Sequence, residues 1–84
     1  SISYNVDILK IGMLVIYSGE STDSIIDKTH SKYIIAMNGS AVLHVDDSHY
    51  LLNYQDTILV KSGRNMIIEN QSKTDLVVIE VQMG

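Results

Sequence analysis

The stretch YIIAMNGSAVLHVDDSHYLL, residues 33–52, decides the fold class of this 84-residue chain. Its apolar runs lie at 33–37, 40–45 and 49–52. Asn38-Gly39 separates the first two runs, and Asp46-Asp47 begins the next break. Turns use these residue types because Gly tolerates a positive φ and Asn and Asp side chains hydrogen-bond to nearby backbone. The stretch therefore predicts three short strands joined by turns.

Apolar runs of similar length recur along the rest of the chain. They predict further strands at 5–11, 13–17, 57–60, 66–69 and 76–82. Ile and Val together number 20, whereas Leu and Ala together number 9, and β-branched side chains fit a pleated sheet better than a helix. Residues 20–30 lack a 3.6-residue apolar stripe, so a longer loop is expected there. Many short strands with turns between them predict an all-β sandwich or small barrel.

Length and composition disfavour several classes of protein. Eighty-four residues support one domain, which buries only about 60–65% of the surface that its unfolded form exposes. The net charge of −4, without a basic cluster, makes nucleic acid and anionic membranes poor partners. No signal peptide is visible, and no apolar run approaches the ~20 residues of a membrane helix. The absence of cysteine suits a reducing compartment, so a cytoplasmic location is expected.

Several strands are apolar on both faces. In the run 76–81 only Glu80 is polar, and the runs 13–16 and 33–37 are uninterrupted apart from the hydroxyl of Tyr33. A strand with one solvated face alternates instead, so a second subunit or domain is expected to cover the outer side. The alternative is that single Ile and Val side chains are simply exposed. The expected inner-face residues are Val15, Ile35, Met37, Leu43, Val45, Ile58, Val60, Met66, Ile68, Val77 and Ile79.

A set of short motifs connects the chain to a known family. The motifs are Ser18-Gly19-Glu20, Gly39-Ser40-Ala41, Tyr50-Leu51-Leu52, Ser62-Gly63, Glu69-Asn70 and the closing Ile79-Glu80-Val81-Gln82-Met83-Gly84. In order and ungapped spacing, from about residue 13 to 84, they resemble the C-terminal cupin domain of type II mannose-6-phosphate isomerases. Those isomerases are often fused to a mannose-1-phosphate guanylyltransferase (GDP-mannose pyrophosphorylase). The resemblance implies a small cupin-type double-stranded β-helix, a jelly-roll barrel of two antiparallel sheets.

The same resemblance implies a metal site whose ligands are missing. Family members hold the metal with a Gln, a His and a Glu near the first motif and a His near the second. Carried onto this chain, those positions fall on Ile25, Asp27, Lys32 and Met66. Only Asp27 could coordinate a metal, so we expect no metal, no cofactor and no catalytic residue. Without a metal, Lys32 would have to stabilise the enediolate and act as the base at once, which one side chain cannot do.

The three histidines offer no obvious replacement site. His44 and Asp46 lie two residues apart on a strand and would share a face as a two-ligand patch. His30 and His49 are expected in or beside loops. A transition metal that is held permanently needs three or four converging protein ligands, which this spacing does not supply.

The sequence leaves three functions open. The first is one non-catalytic cupin domain, residues 1–84, that is a fragment or detached C-terminal domain of a longer enzyme. It would serve sugar-nucleotide and polysaccharide synthesis by homodimerisation, sugar binding or contact with an upstream nucleotidyltransferase domain. The second is a free-standing, metal-independent ligand-binding or regulatory cupin unrelated to mannose. The third is an isomerase using metal-free chemistry, so enzyme status stays open.

If ligand binding survives, the vacated metal position is the expected place. Asp27 could accept a hydrogen bond from a sugar hydroxyl, Lys32 could pair with a phosphate, and Met66 could form an apolar wall. The competing expectation is a barrel mouth filled by side chains, because Met adapts well to irregular gaps.

Overall fold

The computed structural model describes residues 8–83, which contain eight β-strands. They are β1 (Ile8–Ile16), β2 (Ile25–Ile26), β3 (Lys32–Ala36), β4 (Ala41–Val45), β5 (Ser48–Leu52), β6 (Thr57–Val60), β7 (Asn65–Glu69) and β8 (Leu76–Met83). Sheet I has the strand order β1-β8-β3-β6 and sheet II the order β2-β7-β4-β5. Every strand pair is antiparallel. The predicted all-β fold of two antiparallel sheets is confirmed, and none of these residues forms a helix that could cross a membrane.

Two strand predictions need correction. The predicted strands 5–11 and 13–17 are one continuous strand over their described part, β1, because Gly12 stays in the ladder opposite Glu80. Residues 5–7 lie outside the described part of the chain. The predicted loop 20–30 contains β2, whose Ile25 pairs with Met66 of β7. Two residues are too few to show a period, so the sequence gives no sign of this strand.

The predicted turn at Asn38-Gly39 joins β3 to β4 and is anchored to β8. Gly39 has a φ of 87°, a conformation that side chains with a Cβ rarely adopt. The Asn38 side chain accepts a hydrogen bond from the Val77 amide at 2.6 Å and donates one to the Asp75 carbonyl at 3.2 Å. These bonds help fix β3 against β8, and therefore fix where Lys32, at the other end of β3, is placed.

The hydrophobic core lies between the two sheets. Its buried members are Ile16, Ile34, Ala36, Ala41, Leu43, Leu52, Val60, Met66, Ile68, Leu76 and Val78. Of the expected inner-face residues, four are confirmed as buried: Leu43, Val60, Met66 and Ile68. Two more, Val45 and Ile58, are partly buried against the core.

The expected inner-face residues on β1 and β8, and those on or directly after β3, are wrong. Those residues are Val15, Ile35, Met37, Val77 and Ile79. Each strand turns the alternate set inward, so that Ile16, Ile34 and Val78 are buried instead. A shift of one residue moves all the side chains of a strand to the opposite face. When both faces of a strand are apolar, the sequence does not indicate which set of side chains points inward.

The outer side of sheet I is consequently apolar. Antiparallel pairing puts Ile79 of β8 between Met13 of β1 and Ile35 of β3, and the neighbouring rows are built in the same way. We call this surface the outer apolar face; it comprises Ile11, Met13, Val15, Tyr33, Ile35, Met37, Leu59, Val77, Ile79 and Val81. Six of these side chains are between 37% and 65% exposed. The predicted two-sided strands therefore leave a continuous apolar surface on this chain.

One polar side chain is fully buried between β7 and β8. The Asn70 amide nitrogen donates to the carbonyls of Ile16 (2.9 Å) and Thr74 (2.8 Å). Its oxygen accepts from the backbone N–H of Ser72 (3.0 Å) and the Ser72 hydroxyl (2.7 Å). All the hydrogen-bonding capacity of this amide is thereby used, which is the condition for burying a polar group.

Candidate functional site

The barrel mouth lies between β2, β3, β6 and β7. It is lined by Ile25, Asp27, His30, Lys32, Val60, Lys61, Arg64 and Met66. The three residues expected at the vacated metal position, Asp27, Lys32 and Met66, thus surround one pocket. The sequence had not indicated that Lys61 and Arg64, from the β6–β7 turn, join them.

The pocket at the mouth is small. It encloses about 10 Å³, which is room for one water molecule. Met66 is 2% exposed and pairs with Ile25 of β2, so its side chain occupies the place below the opening. This geometry favours a barrel mouth filled by side chains over an open sugar pocket. Any ligand larger than a water molecule must lie above Met66 or displace it.

The Asp27 carboxylate is engaged by its own loop. Its Oδ1 accepts hydrogen bonds from the backbone N–H groups of Thr29 (3.0 Å) and His30 (2.9 Å) and from the Thr29 hydroxyl (3.2 Å). The two backbone bonds are the main cause that lowers the pKa of Asp27 to about 2. A carboxylate with this pKa is a poor general base, and Oδ1 is committed to holding the loop.

This arrangement predicts how acid affects the loop. A pKa below the ordinary 3.8 means that ionised Asp27 stabilises the fold above about pH 4, and that this contribution disappears as the pH falls towards 2. Asp27→Asn should therefore flatten the acid limb of the curve of unfolding free energy against pH. Urea denaturation at half-unit steps from pH 2 to 5 measures it, with the exposed turn variant Asp47→Asn as the control. Equal acid slopes in Asp27→Asn and the unmodified chain would contradict the assignment.

Lys32 and Glu80 form a charged pair inside the end of the barrel. The Lys32 Nζ lies 4.0 Å from Glu80 Oε2, and the two side chains are only 14% and 19% exposed. Lys32 is therefore mostly buried, and its ammonium lies beside the Glu80 carboxylate. The signal for Glu80 was its position as the one charged residue in an apolar strand, and sequence reasoning gave it no role. A cation from the protein now stands close to where the resemblance puts a metal.

The lining of the mouth holds more basic than acidic side chains, and neighbouring carboxylates pair with two of the basic ones. Arg64 Nη1 lies 2.8 Å from Asp46 Oδ2, and the Asn65 amide also donates to that carboxylate. The amide first and Arg64 second lower the pKa of Asp46. Lys61 makes no ion pair with any residue in the described part of the chain. Asp27 is thus the one carboxylate that lines the pocket, against four side chains that carry or can acquire positive charge: His30, Lys32, Lys61 and Arg64.

The predicted histidine patch is rearranged. Asp46 lies in the β4–β5 turn with a φ of 51° and binds Arg64, so the expected pairing of His44 with Asp46 is wrong. His44 Nε2 instead lies 2.9 Å from Glu69 Oε1, and this hydrogen bond is the main cause that lowers the pKa of Glu69. His49 lies near the start of β5, beside the β4–β5 turn and opposite His44, which agrees with its expected place in or beside a loop. The predicted two-ligand patch failed because Asp46-Asp47 alone closes the hairpin, which takes Asp46 out of the strand.

The residues at the mouth do not fit the metal that the resemblance implies. Ile25 and Met66 are not metal ligands for a hard or borderline cation, Lys32 repels one, and Asp27 is held by its loop. Within residues 8–83, no three His, Cys, Asp or Glu side chains are placed to hold an ion together.

We predict that the purified chain retains no metal after tag removal and dialysis against EDTA. Elemental analysis for zinc, iron and nickel checks this and should find well below one ion per chain. About one ion per chain surviving the chelator would mean that the mouth holds a metal through groups other than those at 25, 27, 32 and 66.

Comparison with known proteins identifies the family. The sequence model of the mannose-6-phosphate isomerase C-terminal family matches residues 4–84. The chain belongs to this family. The resemblance to the isomerase cupin domain is thereby confirmed. A search of curated proteins found no match.

Solved structures confirm the cupin-type jelly roll. A predicted oxalate decarboxylase of Thermotoga maritima aligns with a TM-score of 0.79 at 20% identity, covering 87% of this chain and 64% of its own. A cupin 2 conserved barrel domain protein of Salinispora arenicola gives 0.78 at 19%, covering 88% and 61%. A protein of Bacillus halodurans gives 0.82 at 14%, covering 93% and 64%. The chain thus spans less than two thirds of each of these relatives, and identities this low establish the fold alone.

Proposed function

We propose that this cupin domain is non-catalytic and serves assembly, by pairing with a second copy of itself through the outer apolar face. The extent of that face is the observation that supports the proposal. Its six well-exposed side chains present on the order of several hundred Å² of apolar surface, at or above the largest patch of a typical monomer. Specific interfaces bury about 800 Å² per partner, an area that the face and its rim can supply.

The chemistry of the mouth supports the non-catalytic part. Aldose–ketose isomerisation moves a proton between adjacent carbons, which needs a base within reach and a cation or donor for the enediolate oxygen. Asp27, with a pKa of about 2, is a poor base, and Lys32 is paired with Glu80. A pocket of about 10 Å³ excludes an open-chain sugar from these groups unless Met66 moves.

The proposed setting follows from the family. A domain of this kind would belong to a mannose-1-phosphate guanylyltransferase-like enzyme of cytoplasmic sugar-nucleotide and polysaccharide synthesis, acting in GDP-mannose supply. An adjoining nucleotidyltransferase domain is the alternative occupant of the outer apolar face.

Sedimentation velocity separates these occupants. The chain alone, between 1 and 100 µM, should sediment as a species of twice 9.4 kDa. Monomer throughout this range would overturn self-association and leave the face to a neighbouring domain. Reversible dissociation on dilution, with a midpoint within the range, would support the proposal and give its dissociation constant.

A second candidate function is binding of a sugar phosphate at the barrel mouth. It is supported by Lys61, which lines the pocket and has no carboxylate partner among the described residues; Lys32, which is paired with Glu80, lines the same pocket. The phosphate would sit over Met66, on the surface of the pocket. A regulatory cupin unrelated to mannose would use the same cations for another phosphorylated ligand.

NMR titrations with mannose 6-phosphate, mannose 1-phosphate, GDP-mannose and inorganic phosphate test this candidate. Binding predicts saturable shifts around residues 27, 32, 61 and 66 that Lys61→Ala weakens at least threefold and Lys73→Ala, in the distant β7–β8 loop, leaves unchanged. Shifts with all four compounds at equal affinity would mean that phosphate alone is recognised and would favour the mannose-independent alternative. Flat spectra at millimolar ligand would exclude the candidate and leave assembly.

A further inference from the structure

The outer side of sheet II carries a pair of histidines that neither the barrel mouth nor the outer apolar face involves. His44 of β4 and His49 of β5 are directly opposite each other in the antiparallel ladder. Their ring centroids lie 6.1 Å apart, with the ring planes inclined by 50°. Both side chains reach solvent, because this side of sheet II faces away from the core.

Glu69 holds one of the two rings. Its Oε1 lies 2.9 Å from His44 Nε2, on the side of β4 that pairs with β7, whereas His49 lies on the side that pairs with β5. No described residue hydrogen-bonds to His44 Nδ1 or to either ring nitrogen of His49. A carboxylate that accepts the N–H of one imidazole nitrogen fixes the tautomer and leaves the other nitrogen with a free lone pair, which is the arrangement behind most metal-bound histidines.

The spacing suits one shared ion. A metal bound at about 2.0–2.1 Å from an imidazole nitrogen lies roughly 3 Å from the ring centre, so two rings that share an ion have centres up to roughly 6 Å apart. The observed 6.1 Å is at the upper end of this span, and rotation about the side-chain bonds of the exposed His49 shortens it. No third His, Cys, Asp or Glu converges here in the described part of the chain, so water must complete the coordination.

We propose that His44 and His49 together bind one divalent transition-metal ion of the class that imidazole prefers, Cu(II), Ni(II) or Zn(II), on the outer side of sheet II. Glu69 is a positioning residue that acts through His44. The ion is exchangeable, because two protein ligands on an exposed surface hold it, and a chelator removes it. The site lies on the opposite sheet from the outer apolar face, so it stays accessible whether or not the chain pairs with a second copy.

Titration of the ¹⁵N-labelled, tag-free chain with NiCl₂ tests the site, because paramagnetic broadening locates the ion. Saturable broadening centred on residues 44 and 49, with one ion per chain and reversal by EDTA, is expected. His44→Gln and His49→Gln should each weaken binding at least tenfold, whereas His30→Gln, at the barrel mouth, should not. Glu69→Gln should keep the stoichiometry of one but weaken binding, since a lost carboxylate partner typically costs 10–100-fold.

Three outcomes would overturn the proposal. They are no saturation below millimolar Ni(II), equal binding by all three histidine variants, and broadening centred on residues 27–32. The spectrum of each variant without metal checks that it is folded. Because His49 is on an exposed edge strand, His49→Gln keeps the test decisive even if His44→Gln disturbs the sheet.

Discussion

Met13→Lys is expected to convert the proposed dimer into a folded monomer and to weaken self-association at least a hundredfold. Met13 lies on the outer apolar face in one row with Ile79 and Ile35, and it is 65% exposed in the single chain. A lysine there is solvated in the monomer, so the fold tolerates it. In the dimer its ammonium would be buried against apolar side chains without a partner, which costs several kcal/mol, and each 1.4 kcal/mol is a tenfold change in affinity.

Leu51→Lys is the matched control for this substitution. Leu51 is 63% exposed, close to Met13, but it lies on β5 at the edge of sheet II. Sedimentation at the same concentrations should show dimer for Leu51→Lys and monomer for Met13→Lys. If both variants stay dimeric, or if both dissociate equally, the outer apolar face is not the interface.

Asn70→Ala is expected to lower the free energy of unfolding by about 2–4 kcal/mol. The substitution leaves the buried Ile16 carbonyl without its hydrogen bond, and each buried polar group that loses its partner costs about 1–3 kcal/mol. Ser72 and Thr74 are exposed, so their polar groups can hydrogen-bond to water after the substitution. The loss of unfolding free energy should therefore be smaller than the sum for all four Asn70 hydrogen bonds. A chain of this length sits near the lower end of the usual 5–15 kcal/mol of stability, so much of its margin would be lost.

Urea denaturation followed by circular dichroism measures this loss, at one fixed protein concentration because the proposed self-association would also stabilise the fold. Asn53→Ala is the control, since Asn53 is exposed and its side chain, among the described residues, accepts a hydrogen bond from the Ser40 hydroxyl alone. That control should change the stability by less than about 1 kcal/mol. An Asn70→Ala midpoint equal to that of Asn53→Ala would show that the Asn70 hydrogen bonds do not hold the β7–β8 loop.

The sequence predicted the strands longer than two residues but not which face of sheet I points inward. Turn residues such as Gly39 end strands for reasons that are local, so the boundaries of β3 to β8 are visible in the sequence to within a residue or so. In β1, β3 and β8 both alternating sets are apolar. From the sequence alone, Val15 and Ile16 are therefore equally good core candidates, and only packing against sheet II selects Ile16.

The sequence predicted which residues lie together at the barrel mouth, but it did not predict which residues pair with them. Alignment to the family's ligand positions brought Asp27, Lys32 and Met66 to one pocket, because strand order fixes which backbone positions meet at the mouth. It gave no sign of Glu80 beside Lys32, since a cross-strand pair depends on the register of β3 against β8. The register depends on the whole sheet and cannot be predicted from the sequence of either strand alone.

An isotope-filtered NOE spectrum, recorded on a mixture of ¹³C-labelled and unlabelled chains, tests the proposed self-association most directly. It reports only contacts between two copies. Pairing through the outer apolar face predicts intermolecular NOEs from the methyl groups of Met13, Val15 and Ile79, and none from Leu51 on sheet II. Intermolecular NOEs from Leu51 with none from Met13, or no intermolecular NOEs at millimolar chain, would contradict it.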